Sequence, residues 1–250
     1  MATINTPLAA HMLSPAQYVV IDLETGDAPP DAIAAAIAAW KAPSNWKPET
    51  VEAKRVEAAE KIIEKSALLD ASPILCLALK TDRMSVILNG MDASSPEIPG
   101  WWCLPCVDER GLLLALRTIL DVSVGTGTVI AGHNIVGFDL PKLRNAFLRQ
   151  RLKLPDALAY SFSDFTQPAF DTMRQARYFS MEHYDERYVS LDAVARVLDI
   201  PQPKQVITGA DCPRLHRQGE YAVILTYCAI DVATTERAYL LMTGQAPGLE

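Results

Sequence analysis

The chain has 250 residues, half of them hydrophobic, enough to bury a sizeable core as one enzyme-sized domain. Its 23 basic and 30 acidic residues give a formal charge of −7, which argues against broad coating of nucleic acid but leaves room for a local site where metal ions supply positive charge. No apolar run reaches membrane-spanning length, and Met1 to His11 lacks a basic segment followed by an apolar one, so a cytoplasmic protein without a membrane partner is expected.

Tyr18-Val19-Val20-Ile21 is an uninterrupted apolar run that predicts a strand over about residues 17–24, covered on both faces. The strand ends in Asp22 and Glu24. Side chains alternate along a strand, so these carboxylates share one face and need something positive beside them. Asp27 to Ser72 predicts two helices, Asp31–Trp40 and Pro48–Leu69, broken at Pro43-Ser44-Asn45-Trp46. Pro73–Lys80 and Met84–Asn89 predict an antiparallel hairpin around Thr81-Asp82-Arg83, and Asp108–Leu120 predicts a helix with a leucine face.

Five cysteines, at positions 76, 103, 106, 212 and 228, form no even disulfide framework. Cys103 and Cys106 make a C-x-x-C, which raises a redox reading. The pair follows the turn-rich stretch Ser94–Gly100 rather than a buried strand, and no second close Cys or His pair completes a zinc set, so neither redox nor zinc chemistry is expected there.

Thr128–Gly132 predicts a further strand, leading into His133-Asn134-Ile135-Val136-Gly137-Phe138-Asp139. This loop enters a helix at about Phe138 and places Asp139 in its first turn, where a carboxylate suits the helix dipole and where parallel-sheet sites form. Beyond it, Ala169–Thr172 predicts an edge strand, Ser190–Leu198 a capped helix and Glu220–Met242 a long C-terminal helix. Tyr227 and Asp231 share one face of that last helix. Asp231, flanked by Ile230, Val232 and Ala233, is costly to bury without a cation.

Together these stretches resemble the three motifs of the DEDD superfamily of 3′→5′ exonucleases, on the ribonuclease H-like fold. Asp22 and Glu24 match the first motif, Asn134 with Phe138-Asp139 the second, and Tyr227 with Asp231 the third, in the tyrosine subclass. Thr226 stands where the histidine subclass would need its histidine. The wording G-H-N, F-D-L-P-K-L and Y-C-x-x-D resembles the proofreading domains of family B DNA polymerases and their stand-alone relatives; 250 residues leave no room for a polymerase. The similarity covers roughly residues 17–242 except 27–72, and it implies an α/β mixed sheet flanked by helices, with residues 27–72 as a helical insertion in a single domain.

The resemblance implies hydrolysis of phosphodiester bonds from a single-stranded 3′ end, DNA rather than RNA, with two divalent metal ions, Mg²⁺ or Mn²⁺. Asp22 should bridge the two, Glu24 and Asp231 should hold the one that activates water, and Asp139 the other. Tyr227 should orient the attacking water. Asn134 and Phe138 should hold the terminal nucleotide, Thr25 the 3′ end and Lys204 a phosphate, while His133 is expected to be structural. The alternative is a binding module that kept the fold and lost the chemistry, against which the intact set of carboxylates argues. The insertion, with Lys41, Lys47, Lys54, Arg55, Lys61, Lys65, Trp40 and Trp46, is expected either to overhang the cleft and hold single-stranded substrate or to serve as a structural or protein-partner element.

Overall fold

Strand β1 (Tyr18–Thr25) is apolar on both sides and therefore occupies the interior of a sheet. Val19, Ile21 and Leu23 point into one core and Tyr18 and Val20 into another, all of them buried. The computed structural model describes residues 15–159, 169–182, 185–186, 188–201 and 207–247. Around β1 lie β2 (Ile74–Thr81), β3 (Ser85–Asn89), β4 (Trp102–Pro105), β5 (Val129–Gly132) and β6 (Ala169–Asp171). The sheet order is β4-β3-β2-β1-β5-β6. β1 pairs antiparallel with β2 and β2 with β3, while the β1–β5, β5–β6 and β3–β4 pairs are parallel, so the sheet is mixed.

Helices cover both faces. On the Val19 side, α3 (Glu109–Ser123) inserts Leu112, Leu113, Leu116, Ile119 and Leu120; Asp108 caps it by accepting from the Gly111 amide at 2.8 Å. There, α4 (Asp139–Arg149) adds Leu140, Leu143, Ala146 and Phe147. The Tyr18 side receives α7 (Cys212–Gln218) and α8 (Tyr221–Met242), through Cys212, Leu215, Ile224, Leu225, Cys228, Ala229, Val232 and Tyr239. A smaller cluster joins α5 (Thr172–Phe179) and α6 (Leu191–Val197) to α8 at Ala238. No helix among the described residues is long and apolar enough to cross a membrane.

Helix α8 is pinned along β1 at two points. The Tyr18 hydroxyl donates to Glu236 Oε1 at 2.7 Å, with Lys80 paired to the same carboxylate, and the Cys228 thiol lies 3.6 Å from the Asp22 carbonyl oxygen. Residues 228 to 236 of a helix rise about 12 Å and residues 18 to 22 of a strand about 13 Å. The spacings match, so both anchors close without bending either element.

The sequence reading missed three elements, β4, α5 and α7, all of them short. The turn-rich stretch Ser94–Gly100 gives way to β4, an edge strand over Trp102–Pro105 paired in parallel with Val86–Asn89, for which no element was expected. Strand geometry then disposes of the C-x-x-C. Residues three apart face opposite sides, and Cys103 packs with the α8 core while Cys106 belongs to the α3 core. Burial pushes both thiols up to about 11, and all five cysteines are free.

Between β1 and β2 the chain makes α1 (Pro30–Ala39) and α2 (Pro48–Glu64), joined by the bend at residues 40–47. Neither helix buries a residue. Lys54 and Lys61, expected as phosphate contacts, are both held by Glu57 at i+3 and i−4, so α2 is largely a self-neutralised, solvated face. Its root is fixed instead. The Ser66 hydroxyl donates to Asp27, Lys142 donates to the Leu69 carbonyl and Ser72 hydroxyl, Arg149 to the Asp70 carbonyl, and Arg217 pairs with Asp27. Because the Ser66–Asp27 bond brings both ends of the hairpin together, replacing Pro30–Glu64 with a short Gly-Ser linker is predicted to leave a single cooperative melt within a few degrees of the parent by circular dichroism. A broad or absent transition in that variant would show that the hairpin belongs to the core.

Candidate metal centre

Asp22 and Glu24 project from the Tyr18 side of β1, toward α7 and α8. Thiols meet both. The Cys228 thiol lies 3.6 Å from Asp22 Oδ2, and Cys212, at the start of α7, hydrogen-bonds Glu24. Ligand atoms of Asp22, Glu24 and Cys228 all lie within 4.8 Å of one another. A shift in register between Glu24 and Thr25 ends the strand pairing just past the carboxylates.

The loop after β5 delivers the next carboxylate and is tightly folded. Asn134 sits in the left-handed region, φ 56°, a conformation asparagine tolerates, and its carbonyl accepts from the amides of Gly137 and Phe138. A Cβ on Gly137 would lie 2.4 Å from Asn134 Oδ1, so only glycine fits there. Asp171, buried at the end of β6, clamps the loop by accepting from the amides of Asn134 at 3.0 Å and Val136 at 3.2 Å. This fold sets Asp139 as the first residue of α4, 2% exposed. Its Oδ1 is buried and meets no hydrogen-bond donor.

From α8, Tyr227 and Asp231 come to the same place, and the Tyr227 hydroxyl hydrogen-bonds the Asp231 carboxylate. Burial raises the Asp22 carboxyl well above the usual carboxylate range, and Asp139, Glu24 and Asp231 each raise it further. Asp22 keeps a partly exposed surface even though protein surrounds its carboxylate. Burial likewise pushes Glu24 up to about 8 against the opposing Cys212 bond, and Asp139 up to about 7. Burial first, then Asp231 and Glu24, hold the proton on Tyr227 far more tightly than on a free phenol. None of the ion pairs found among the described residues involves Asp22, Glu24 or Asp139. The carboxylate oxygens, their mutual repulsion and the unmet Asp139 Oδ1, with the Cys228 thiol beside them, make a group that could hold a cation.

Of the five residues expected at the site, Asp22 and Glu24 lie within 4.8 Å of each other, together with Cys228; Asp139 and Asp231 are near enough to raise the Asp22 carboxyl, and Tyr227 meets Asp231. Of the expected substrate residues, Asn134 lies in the loop that leads into Asp139 and Phe138 packs partly buried against the α3 core. Thr25 is buried and its hydroxyl donates to the Ala67 carbonyl, so it secures the root of the insertion. Lys204 lies outside the described residues. His133 is structural as expected: Nε2 donates to the Val189 carbonyl at 2.9 Å, leaving Nδ1 to accept from Thr172, and burial lowers its pKa toward the neutral form. Asp171, Cys212 and Cys228 were not read from the sequence. Asp171 had a signal, since Asp before Thr-Met-Arg-Gln-Ala-Arg is an N-cap pattern, and it caps α5 by accepting from the Met173 and Arg174 amides. The two cysteines had none. Comparison with family models and with curated proteins found no match for this chain.

The raised carboxyls make stability pH-dependent. An acid whose pKa is higher folded than unfolded binds more protons in the native state, so its contribution is fully present below about pH 4 and is lost as pH rises through 7 to 8. In EDTA the protein is therefore predicted to melt at lower temperature at pH 8.5 than at pH 6, with Asp139→Asn shrinking that difference and Mn²⁺ restoring stability at the higher pH. Melting curves that rise with pH across this window in EDTA would contradict the charge assignment.

Proposed function

We propose that this chain is a metal-dependent 3′→5′ exonuclease on a ribonuclease H-like fold, hydrolysing single-stranded nucleic acid, DNA in preference to RNA. The observation that carries this reading is the convergence of Asp22, Glu24, Asp139 and Asp231, from three separate elements, into a largely buried group where Asp22 feels the other three and, among the described residues, no lysine or arginine is paired with Asp22, Glu24 or Asp139. The six-stranded mixed sheet with helices on both faces supports the fold assignment. A binding module without chemistry has no use for such a cluster, because packed anions cost stability.

Asp22, Glu24, Asp139 and Asp231 would hold two divalent ions. When bound, such a pair supplies a water nucleophile near neutral pH and neutralises charge on the phosphate and the leaving 3′ oxygen. Tyr227 has the complementary task. Its hydroxyl donates a hydrogen bond to Asp231, so its oxygen is left to accept one from the attacking water and orient it. With its proton held so firmly, Tyr227 positions that water and does not deprotonate it. Asn134 and Phe138, at the entrance to α4, would hold the terminal nucleotide.

Asp22→Ala is predicted to abolish digestion of a 5′-labelled strand while leaving the EDTA melting temperature unchanged or higher, since one repelling anion is gone. Full digestion by the purified variant would remove Asp22 from the chemistry. Tyr227→Phe is predicted to lower single-turnover rates roughly ten- to a thousandfold with Mn²⁺ affinity, measured by calorimetry, unchanged. Wild-type rates in that variant would make Tyr227 a packing residue.

A further inference from the structure

A cleft of about 690 Å³ opens beside the Asn134 loop, away from the carboxylates' own elements, and neither the sequence motifs nor the chemistry above uses it. Its size falls in the range of ligand pockets, roughly 300–1,000 Å³. One wall is α5, where Arg174, Arg177 and Tyr178 stand at i, i+3 and i+4 and so share a face. Tyr188 forms the other wall, and Asn134 and Gly137, in the loop that leads into Asp139, form one end. Tyr178 is 81% and Tyr188 67% exposed. Among the described residues that line the cleft the charged groups are two guanidinium groups, in a chain of net charge −7; Arg174 Nε also lies 3.6 Å from Asp171 Oδ2, and its side chain remains half exposed.

Both walls are tied to the loop that carries Asn134. Asp171 caps α5 with the same carboxylate that accepts from the Asn134 and Val136 amides. His133 bridges Thr172, the first residue of α5, to the Val189 carbonyl, adjacent to Tyr188. The cleft therefore keeps a fixed position relative to the site where a strand would end.

We propose that this cleft is a track for single-stranded nucleic acid, with bases stacking on Tyr178 and Tyr188 and phosphates meeting Arg174 and Arg177. The assignment rests on the exonuclease reading and names where the strand runs behind its terminal nucleotide. Aromatic rings exposed beside guanidinium groups are the chemistry that single strands use, because every base has a π-face and every linkage an anion. Continuity with Asn134 favours a strand over an acidic protein segment, which has no reason to end at the carboxylates.

The test is fluorescence anisotropy of 5′-fluorescein-dT12 with the full chain in Ca²⁺, read without turnover. Tyr178→Ala is expected to weaken binding about five- to a hundredfold. Arg174→Ala is expected to weaken it and to flatten the slope of log affinity against log salt by about 0.7. Tyr178→Phe, which keeps the ring, should bind like wild type and so separates stacking from any effect on folding. Wild-type affinity in both alanine variants, while the parent still digests strands, would overturn the track and leave the exonuclease reading standing. Failure of the parent itself to bind dT12, or displacement of dT12 by a polyglutamate peptide with equal or greater affinity, would overturn it in favour of a protein partner.

Discussion

The position of α8 along β1 is fixed at both ends, by Tyr18 with Glu236 and by Asp22 with Cys228, and the candidate site depends on that register. A slip of one residue would turn the helix by about 100° and carry Tyr227 and Asp231 off the face that meets Asp22 and Glu24. One polar contact at the far end of the interface and one at the candidate site itself thus hold the register on which the site geometry depends. The Lys80–Glu236 pair supplies a countercharge to a buried carboxylate that Tyr18 contacts only through a neutral hydroxyl.

The core of this protein is conventional in its packing and unconventional in its charge. Leucines of α3 and the apolar face of β1 bury each other without polar compromise. Beside that core, the end of β1, the start of α4 and the middle of α8 each present carboxylates that repel. Thiols soften the problem locally, since Cys212 and Cys228 offer hydrogen bonds to Glu24 and Asp22 without adding charge. They do not remove it, and the Asp139 oxygen without a donor marks where the remaining demand lies. Packed anions of this kind cost folding stability, a cost expected where a site serves function rather than packing.

Much of this was legible in the sequence because the informative elements are long or sharply punctuated. The apolar run into Asp22, the hairpin at Thr81-Asp82-Arg83 and the loop into Asp139 each carry their own local signal, and the structure places each as read. What escaped reading was short or non-local. β4 has four residues, including Pro105 on an edge, and α7 seven, too few for a period to register. Asp171 was visible as a helix cap, but its clamp on Asn134 spans 37 residues of chain, and no local pattern encodes a contact of that range. For the insertion the sequence left two readings open, a substrate contact or a structural or partner element with solvated charges; the glutamates interleaved with its lysines favoured the second as much as the first, and Glu57 pairs with Lys54 and Lys61.

The central claim is that the carboxylate cluster cuts nucleic acid one residue at a time from a 3′ end with a divalent cation. It is tested most directly by incubating a 5′-labelled 20-nucleotide DNA strand, and its RNA counterpart, with the protein in Mg²⁺, Mn²⁺ or EDTA and resolving the products. The account predicts a ladder shortening by single nucleotides with release of 5′-mononucleotides, faster on DNA than on RNA and absent in EDTA. Products cut internally, digestion undiminished by EDTA, or an intact strand in both metals would contradict it.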